Sequence, residues 1–238
     1  MILLGTIVNG LAIIIGSLLG LGFKRIPERV KTTIMQAIAL AVMVLGIQMG
    51  MQSEQFLIVI GSLVIGGWIG ERLQIEDHLN HLGQWLERKT GAKDGEGQIA
   101  KAFVTTTLIY VVGAMAVLGA LDSGLRNDHS VLYTKALLDG FSALLFTTTL
   151  GIGVIFSFVP VVLYQGSIAL LAGQIDRLLP SELLDMFIVE MTATGGVMIL
   201  AIGLKLAGIL DMRIANLLPA ILVTGGLVSV VYYVDLLF

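Results

Sequence analysis

A glutamate and two threonines lie inside an apolar run near the end of the chain, in the sequence MFIVEMTATGG of residues 186–196. Glu190 has no basic neighbour in sequence, and an ionisable group in a membrane helix usually faces the bundle interior or a water-filled path. Thr194 lies one turn further along the same helix face. These two side chains predict a place that binds a cation or exchanges a proton; the alternative is a glutamate that only fixes helix packing.

A lysine and an aspartate form a second candidate. Lys135 and Asp139 are four residues apart, so they can pair on one face of a helix. We place this pair at the outer end of the fifth predicted membrane helix, where an exposed pair would contribute only about 0.3–0.5 kcal/mol. The pair is either a solvated helix end or a charge in an outer vestibule.

Hydroxyl and amide side chains also interrupt the apolar runs. Threonine hydroxyls could donate to backbone carbonyl groups that a helix break leaves without a partner, or they could line a polar path. In membrane helices they more often donate to their own helix backbone. Asparagines in an apolar bundle need partners, and they serve equally well as packing contacts or as ligands. The predicted solute or ion path therefore consists of Glu190, Asp139, Lys135, Thr194, Thr147, Thr148, Thr105, Asn9 and Asn216.

Catalytic and metal-binding motifs are missing from the sequence. It contains no P-loop, GxSxG, HExxH or CxxC pattern, and it contains no cysteine. His78 and His81 are three residues apart beside Glu76 and Asp77, but a third well-spaced metal ligand is lacking. We expect no enzyme activity, no catalytic residue, no metal and no cofactor.

The composition is that of a membrane protein. Of the 238 residues, 56% are hydrophobic and 13% are charged, with a mean hydropathy of +0.95. The net charge of −3 and the sparse Lys and Arg residues argue against a nucleic-acid partner. The lipid bilayer is therefore the first expected partner of the chain.

The lengths of the uncharged runs predict the number of membrane helices, because one span needs about 20 apolar residues. The run from Gly140 to Ile175 is too long for one span, so we divide residues 131–175 between two helices that break near Gly151, Gly153 and Pro160. The result is an all-α integral membrane protein of about eight transmembrane helices in a single polytopic domain over residues 1–238. The predicted spans lie near residues 1–23, 32–53, 55–70 and 102–121, then two spans within residues 131–175, and the last two near residues 183–207 and 214–234.

The distribution of basic residues predicts the orientation. With eight spans, eleven of the 14 Lys and Arg residues fall on the side that the chain reaches after the first helix. Cytoplasmic loops carry the excess of Lys and Arg, so both termini are expected outside.

The two ends of the chain look like copies of each other. Gly16-Ser17 in the first helix corresponds to Gly166-Ser167 in the sixth, and each is followed by an Arg and a Pro that precede the next span. Helices 1–3 and 6–8 would then form an inverted repeat around two central helices, as in many secondary transporters. Chance similarity between two Gly-rich apolar stretches is the alternative.

Residues 73–97 form the long polar stretch of the chain. Ile75, Leu79, Leu82 and Leu86 recur at helical spacing, which predicts a cytoplasmic amphipathic helix followed by a flexible link over residues 91–97. This segment is either an interfacial connector or a partner-binding helix.

Motifs spread over both halves resemble the YqgA/YdfK-like family of bacterial inner-membrane proteins. They include RIPER at residues 25–29, GAMAVLG at residues 113–119, LGIG at residues 150–153 and NLLPA at residues 216–220. The resemblance implies a multi-pass protein of the bacterial inner membrane. The family is one of unknown function, so the resemblance supplies no substrate and no site residues.

Two classes of function fit the sequence. The first is a membrane transporter or channel for a small solute or ion, with a cation or proton as coupling ion. The second is a non-transporting membrane scaffold or sensor whose residues 73–97 bind a partner. A homo-oligomer is compatible with either, and the sequence leaves the substrate, the direction and the oligomeric state open.

Overall fold

Helices make up all the regular structure that the computed structural model describes, which covers residues 1–22, 27–90 and 98–237. The all-α prediction is confirmed for these residues. The predicted flexible link at residues 91–97 and the start of the RIPER motif lie outside them. The helices are α1 (Leu4–Gly22), α2 (Glu28–Gly50), α3 (Phe56–Leu73), α4 (Ile75–Thr90), α5 (Gln98–Val111), α6 (Ala114–Arg126), α7 (Ser130–Leu150), α8 (Phe158–Leu178), α9 (Ser181–Leu206) and α10 (Pro219–Leu237).

Six segments within the described ranges are long and apolar enough to cross a membrane: Leu4–Gly22, Thr32–Gly50, Phe56–Leu73, Ile152–Leu178, Ser181–Leu206 and Ile214–Leu237. Their number rises to seven if α5 and α6 together form one span. Large apolar side chains such as Trp68 and Leu222, which are 68% and 81% exposed, cover the outer faces of these helices. Exposed apolar faces of this extent suit contact with lipid.

The fourth predicted span is not one straight helix. The expected helix over residues 102–121 is replaced by α5 and α6, whose axes differ by 62°. The bend lies at Gly113, which has a φ of +133° that a residue with a side chain rarely adopts. The apolar pattern could not reveal this break, because glycine is also common in unbroken membrane helices.

The long apolar stretch from residue 131 onward breaks where the sequence predicted. α7 ends at Leu150, Gly151 follows with a φ of 85°, and a short 3₁₀ helix (Ile152–Ser157) leads into α8. Pro160 lies in the first turn of α8, where its missing N–H leaves no helix carbonyl unpaired.

The described chain forms two compact units. Unit 1 comprises Met1–Met35, Asp77–Val111 and Met115–Gln174, and unit 2 comprises Gln36–Glu76, Val112–Ala114 and Ile175–Phe238. Close packing of α1 on α7 is the main feature of unit 1. In unit 2, Ile58 of α3, Leu183 of α9 and Val228 of α10 form a common apolar core.

Small residues allow the close packing of α1 on α7. A Cβ atom at Gly16 would collide with the carbonyl oxygen of Gly140, and one at Gly20 would lie 2.5 Å from the carbonyl oxygen of Leu144. Gly16 and Gly20 are four residues apart, and this spacing of small residues is typical of close helix contacts in membranes. A Cβ atom at the corresponding Gly166 would lie 3.7 Å from its nearest neighbour, Leu3, so the two Gly-Ser pairs have different surroundings.

The polar segment after α3 contains the helix that the sequence predicted. α4 begins at Ile75, directly after Gln74, which takes a left-handed conformation with a φ of 49°. Gly83 of α4 packs against Ala100 of α5, while Leu82 and Trp85 remain 44% and 47% exposed. The helix is confirmed by the structure.

Candidate functional site

The predicted pair of Lys135 and Asp139 forms, but it is buried. The Lys135 Nζ atom lies 2.6 Å from Asp139 Oδ2, and each side chain is only 8% exposed. The expectation of an exposed helix end was therefore wrong, because α1 and α5 pack on α7 and cover this face. A buried ion pair carries a desolvation cost that an exposed one avoids.

Two amide side chains complete this group. Asn9 Nδ2 donates to Asp139 Oδ2 at 3.0 Å and to Gln165 Oε1 at 3.2 Å, and both amides are 0% exposed. The four residues come from α1, α7 and α8 of unit 1. We call Asn9, Lys135, Asp139 and Gln165 the unit 1 cluster.

Hydrogen-bonding capacity remains unused around the unit 1 cluster. Asn9 Oδ1 and Gln165 Nε2 are buried and have no hydrogen-bond partner within the described ranges. The same holds for the hydroxyls of Thr6 and Ser17 on α1 and of Thr147 on α7. Unpaired buried polar atoms are costly and rare, so such a group favours a role in holding water, a proton or an ion.

The face of α1 explains how these polar atoms come together. Thr6, Asn9, Gly10, Ile13, Gly16, Ser17 and Gly20 are all buried and recur at intervals of three or four residues, which is one helix face. Thr147 lies against Gly20, where a Cβ atom would be 2.8 Å from the Thr147 Cβ atom. The polar side chains of α1 and α7 therefore line one contact inside unit 1.

Glu190 has a different setting in unit 2. Its carboxylate accepts the Ser53 hydroxyl at 2.6 Å and the backbone N–H groups of Glu54 and Gln55 at 2.9 Å each. These donors lie immediately before α3. A side chain of α9 therefore accepts hydrogen bonds from backbone N–H groups at the start of another helix, which have no partner within that helix. The N-terminus of a helix favours a negative charge, which gives the buried glutamate a structural explanation.

The remaining predicted threonines differ in their surroundings. Thr194 Oγ1 lies 3.1 Å from Thr224 Oγ1 of α10, and Thr224 also donates to the Ala220 carbonyl. Thr148 donates to the Leu145 carbonyl of its own helix, and Thr105 is buried in α5. Of the predicted threonines, Thr147 is the one that the structure brings into the polar contact of α1 and α7.

Asn216 belongs to a polar network at the α3–α4 junction of unit 2. Its Nδ2 donates to Glu71 Oε2 at 2.6 Å, and its Oδ1 accepts the backbone N–H of Glu76 at 2.8 Å. Lys205 pairs with Glu76 at 3.2 Å, and Arg213 pairs with Glu71 at 3.3 Å. This network connects α3, α4 and α9 to the short 3₁₀ helix before α10, which runs from Ile214 to Leu217.

Sequence reasoning missed Gln165, Glu71 and Glu76 as partners. Gln165 could have been noticed as one of two glutamines in the uncharged run from Gly140 to Ile175. No periodicity linked it to Asn9, which is 156 residues away. Across the described ranges, His, Cys, Asp and Glu side chains form no group of three that could hold a metal ion.

Comparison with known proteins places the chain in a family. Residues 4–229 match the family described as protein of unknown function, DUF554. The chain belongs to this family. It is 30% identical over 239 residues to the uncharacterized membrane protein YdfK of Bacillus subtilis, covering 98% of this chain and 99% of that protein. It is 28% identical over 223 residues to the uncharacterized protein YqgA of Escherichia coli, covering 92% and 93% respectively.

No solved structure matches the chain. The resemblance read from the motifs is therefore confirmed at the level of the family, and the chain is a membrane protein with several candidate spans. YdfK and YqgA are both uncharacterized, so neither relative supplies a chemistry for the unit 1 cluster.

Proposed function

We propose that this DUF554 protein is a membrane transporter or channel for a small solute or ion, and that the unit 1 cluster is part of its path. The observation that carries the proposal is the buried ion pair of Lys135 and Asp139, with Asn9 and Gln165 beside it and polar atoms left unpaired. Ionisable groups inside membrane proteins mark substrate paths and proton relays.

Stability alone does not account for this pair. Replacing a buried ion pair by apolar residues of similar volume is often neutral or stabilising, so packing would not require the two charges. The neighbouring amides make the site adaptable, because each amide carries both a donor and an acceptor. A path also needs polar positions beyond the pair, and Thr6, Ser17 and Thr147 supply them.

The proposal includes eight spans with both termini outside. To reach eight, α7 must cross the membrane in addition to the six apolar segments and the bent pair of α5 and α6. α7 has 21 residues, which is long enough, and its charges lower its hydropathy. Reporter tags at either terminus should give an outside location; opposite sides for the two termini would refute the count.

The inverted repeat of α1–α3 and α8–α10 remains part of this proposal. It is supported by the paired Gly-Ser and Arg-to-Pro sequences and by the transporter architecture in which such repeats occur. We propose no enzymatic role, and we place the protein in the bacterial inner membrane because of its family resemblance.

A scaffold or sensor is the second candidate. It is favoured by Glu190 and Asn216, whose hydrogen bonds all serve helix ends and junctions. Under this alternative the polar groups fix packing, and the exposed Leu82 and Trp85 of α4 contact a partner.

Flux into proteoliposomes distinguishes the two functions. Purified protein is reconstituted and tested with labelled cations, anions, amino acids and sugars, with the Asp139→Asn variant as comparison. The transporter proposal expects uptake of at least one solute class above the level of empty vesicles and loss of that uptake in Asp139→Asn. If no class is taken up by vesicles that contain folded, inserted protein, the scaffold alternative replaces it.

A further inference from the structure

The polar helix α4 is connected to apolar helices of the membrane bundle. It begins at Ile75, directly after the turn at Gln74 that follows α3, and α3 is long and apolar enough to cross a membrane. Near the middle of α4, Gly83 packs against Ala100 in the first turn of α5. A helix that carries this many charges does not enter the hydrocarbon layer. We therefore place α4 at the level of the membrane surface, where α3 ends and α5 begins.

One side of α4 is covered and the other side is exposed. A Cβ atom at Gly83 would collide with Ala100, so this side of the helix is packed against α5. Trp85 is two residues further on, which turns the helix by about 200°, and it is 47% exposed. Residues three or four positions from Trp85 lie on the same side of the helix. We define the α4 face as the exposed side chains Leu82, Trp85, Arg88 and Lys89.

The charged residues of α4 are divided between its two sides. Arg88 and Lys89 are exposed, whereas Glu76 and Asp77, the acidic side chains of this helix that the structure describes, are half-buried. The position of Glu87 is about 200° around the helix from the tryptophan of the α4 face. The α4 face therefore carries two positive charges and includes no acid, which makes it complementary to a negatively charged surface.

The side chains of the α4 face suit the headgroup layer of a bilayer. The Lys89 Nζ atom lies 5.3 Å from the centre of the Trp85 ring, which is a cation–π contact. Tryptophan rings favour the boundary between membrane and water, and lysine and arginine extend their charged ends toward the polar side of that boundary. Leu82, which is 44% exposed, adds apolar area beside the ring. A flat layer of phosphate groups above acyl chains matches both kinds of side chain.

We infer that the α4 face binds anionic phospholipid at the membrane surface, with Arg88 and Lys89 on the phosphate groups and Trp85 and Leu82 between the headgroups. Basic residues beside a membrane span are attracted by anionic lipid, and the attraction weakens as salt is added. The connections of α4 to α3 and α5 hold the face next to the bilayer, so the headgroups are present at a high effective concentration. This favours lipid over a soluble protein as the occupant. The binding involves no transported solute and is independent of the proposed function.

Tryptophan fluorescence tests the lipid contact, because the chain has two tryptophans. Trp68→Phe leaves Trp85 as the reporter, and Trp85→Phe leaves Trp68, which is 68% exposed on α3, as the control. Each variant is inserted in vesicles of phosphatidylcholine with or without phosphatidylglycerol, and quenching is measured with aqueous acrylamide and with lipid brominated near the headgroup. We expect phosphatidylglycerol to lower acrylamide quenching of Trp85 by about twofold or more and to raise bromolipid quenching. High salt should reverse both changes, and Trp68 should not respond to lipid charge.

Charge variants test the role of the two basic residues. The double change Arg88→Gln/Lys89→Gln, made in the Trp68→Phe protein, should remove the effect of phosphatidylglycerol on Trp85. Arg126→Gln removes an exposed basic residue at the end of α6 and should leave that effect unchanged. If Trp68→Phe does not fold, the same comparison is made in protein that keeps both tryptophans, where Trp68 contributes a constant signal.

Two results would overturn the inference. Equal access of acrylamide to Trp85 in both kinds of vesicle, without bromolipid quenching, would place the α4 face in water and favour a protein partner. Bromolipid quenching that depends neither on phosphatidylglycerol nor on Arg88 and Lys89 would show a lipid contact that does not recognise anionic headgroups. Neither result bears on the proposed transport function, which the flux measurements test separately.

Discussion

Glu190 in α9 accepts the backbone N–H of Gln55 at 2.9 Å, so one buried carboxylate fixes the start of a helix that lies 135 residues earlier in the chain. The negative charge is compensated by this N–H, by that of Glu54 and by the Ser53 hydroxyl. An apolar chain can therefore keep a glutamate here because the start of α3 supplies donors that would otherwise be unpaired.

The contacts of Glu190 predict a loss of stability on substitution. Glu190→Ala should lower the free energy of unfolding by about 1.5–3 kcal/mol, since hydrogen bonds to a charged group are removed and the donors before α3 lose their acceptor. Thermal unfolding in detergent measures the change. Glu182→Ala, at an exposed position in the first turn of the same helix, is the control and should have little effect. Equal melting temperatures for the two variants would show that the hydrogen bonds of Glu190 to the start of α3 do not stabilise the protein.

Because Lys135 and Asp139 are buried together, the protein's stability should depend strongly on the presence of both charges. Either single change, Lys135→Met or Asp139→Asn, should lower the free energy of unfolding by about 3–5 kcal/mol, because it leaves the other charge buried and uncompensated. The double variant should recover much of that loss. The exposed pair of Asp122 and Arg126 provides a control cycle, with an expected coupling of about 0.2–1 kcal/mol. Additive losses at Lys135 and Asp139 would contradict the pairing.

Close packing of α1 on α7 predicts different effects of alanine at two glycines. Gly16→Ala would place a methyl group against the Gly140 carbonyl, and we expect a loss of about 1–3 kcal/mol from the forced displacement. Gly173→Ala in α8 meets no atom within 4 Å and should be neutral or stabilising. Unfolding of the two variants in detergent provides the comparison, and a more stable Gly16→Ala protein would contradict this packing.

Asp128 offers a test of pH dependence in the turn before α7. The Ser130 hydroxyl at 2.6 Å and then its backbone N–H at 2.9 Å hold the pKa of the Asp128 carboxyl below its ordinary value. A lowered pKa in the folded protein stabilises it above the ordinary aspartate range, and this contribution disappears as the pH falls through the lowered pKa. Carboxyl NMR should show the Asp128 pKa rising in Ser130→Ala. Thr134→Val, one turn further on, should leave it unchanged.

The helices of this protein could be predicted from its sequence because a membrane span has a fixed apolar length. The observed α3 (Phe56–Leu73) and α9 (Ser181–Leu206) begin and end within three residues of the predicted spans at 55–70 and 183–207. The break near Gly151 was predicted from its glycines. The bend between α5 and α6 could not be predicted, since nothing in the sequence distinguishes Gly113 from a glycine that packs in a straight helix.

The site was predictable only in part, and the reason is sequence separation. The spacing of Lys135 and Asp139 was enough to predict their contact, which lies within one helix. Their burial depends on α1 and α5, and the partners of Glu190 are more than 130 residues away from it. A local pattern identifies a polar residue that needs partners, but it does not say whether those partners form a helix cap or a path.

Accessibility to water of the polar contact between α1 and α7 tests the proposed path most directly. The chain has no cysteine, so single substitutions need no prior removal of native thiols. Ser17→Cys and Thr147→Cys lie at the buried contact, whereas Leu137→Cys, at a position 77% exposed on α7, represents the outer apolar face. Reaction with a small, water-soluble thiol reagent requires the thiolate and therefore water. In protein inserted in vesicles we expect both buried positions to react faster than Leu137→Cys; a reactive Leu137→Cys with inert Ser17→Cys and Thr147→Cys would contradict a water-filled path through unit 1.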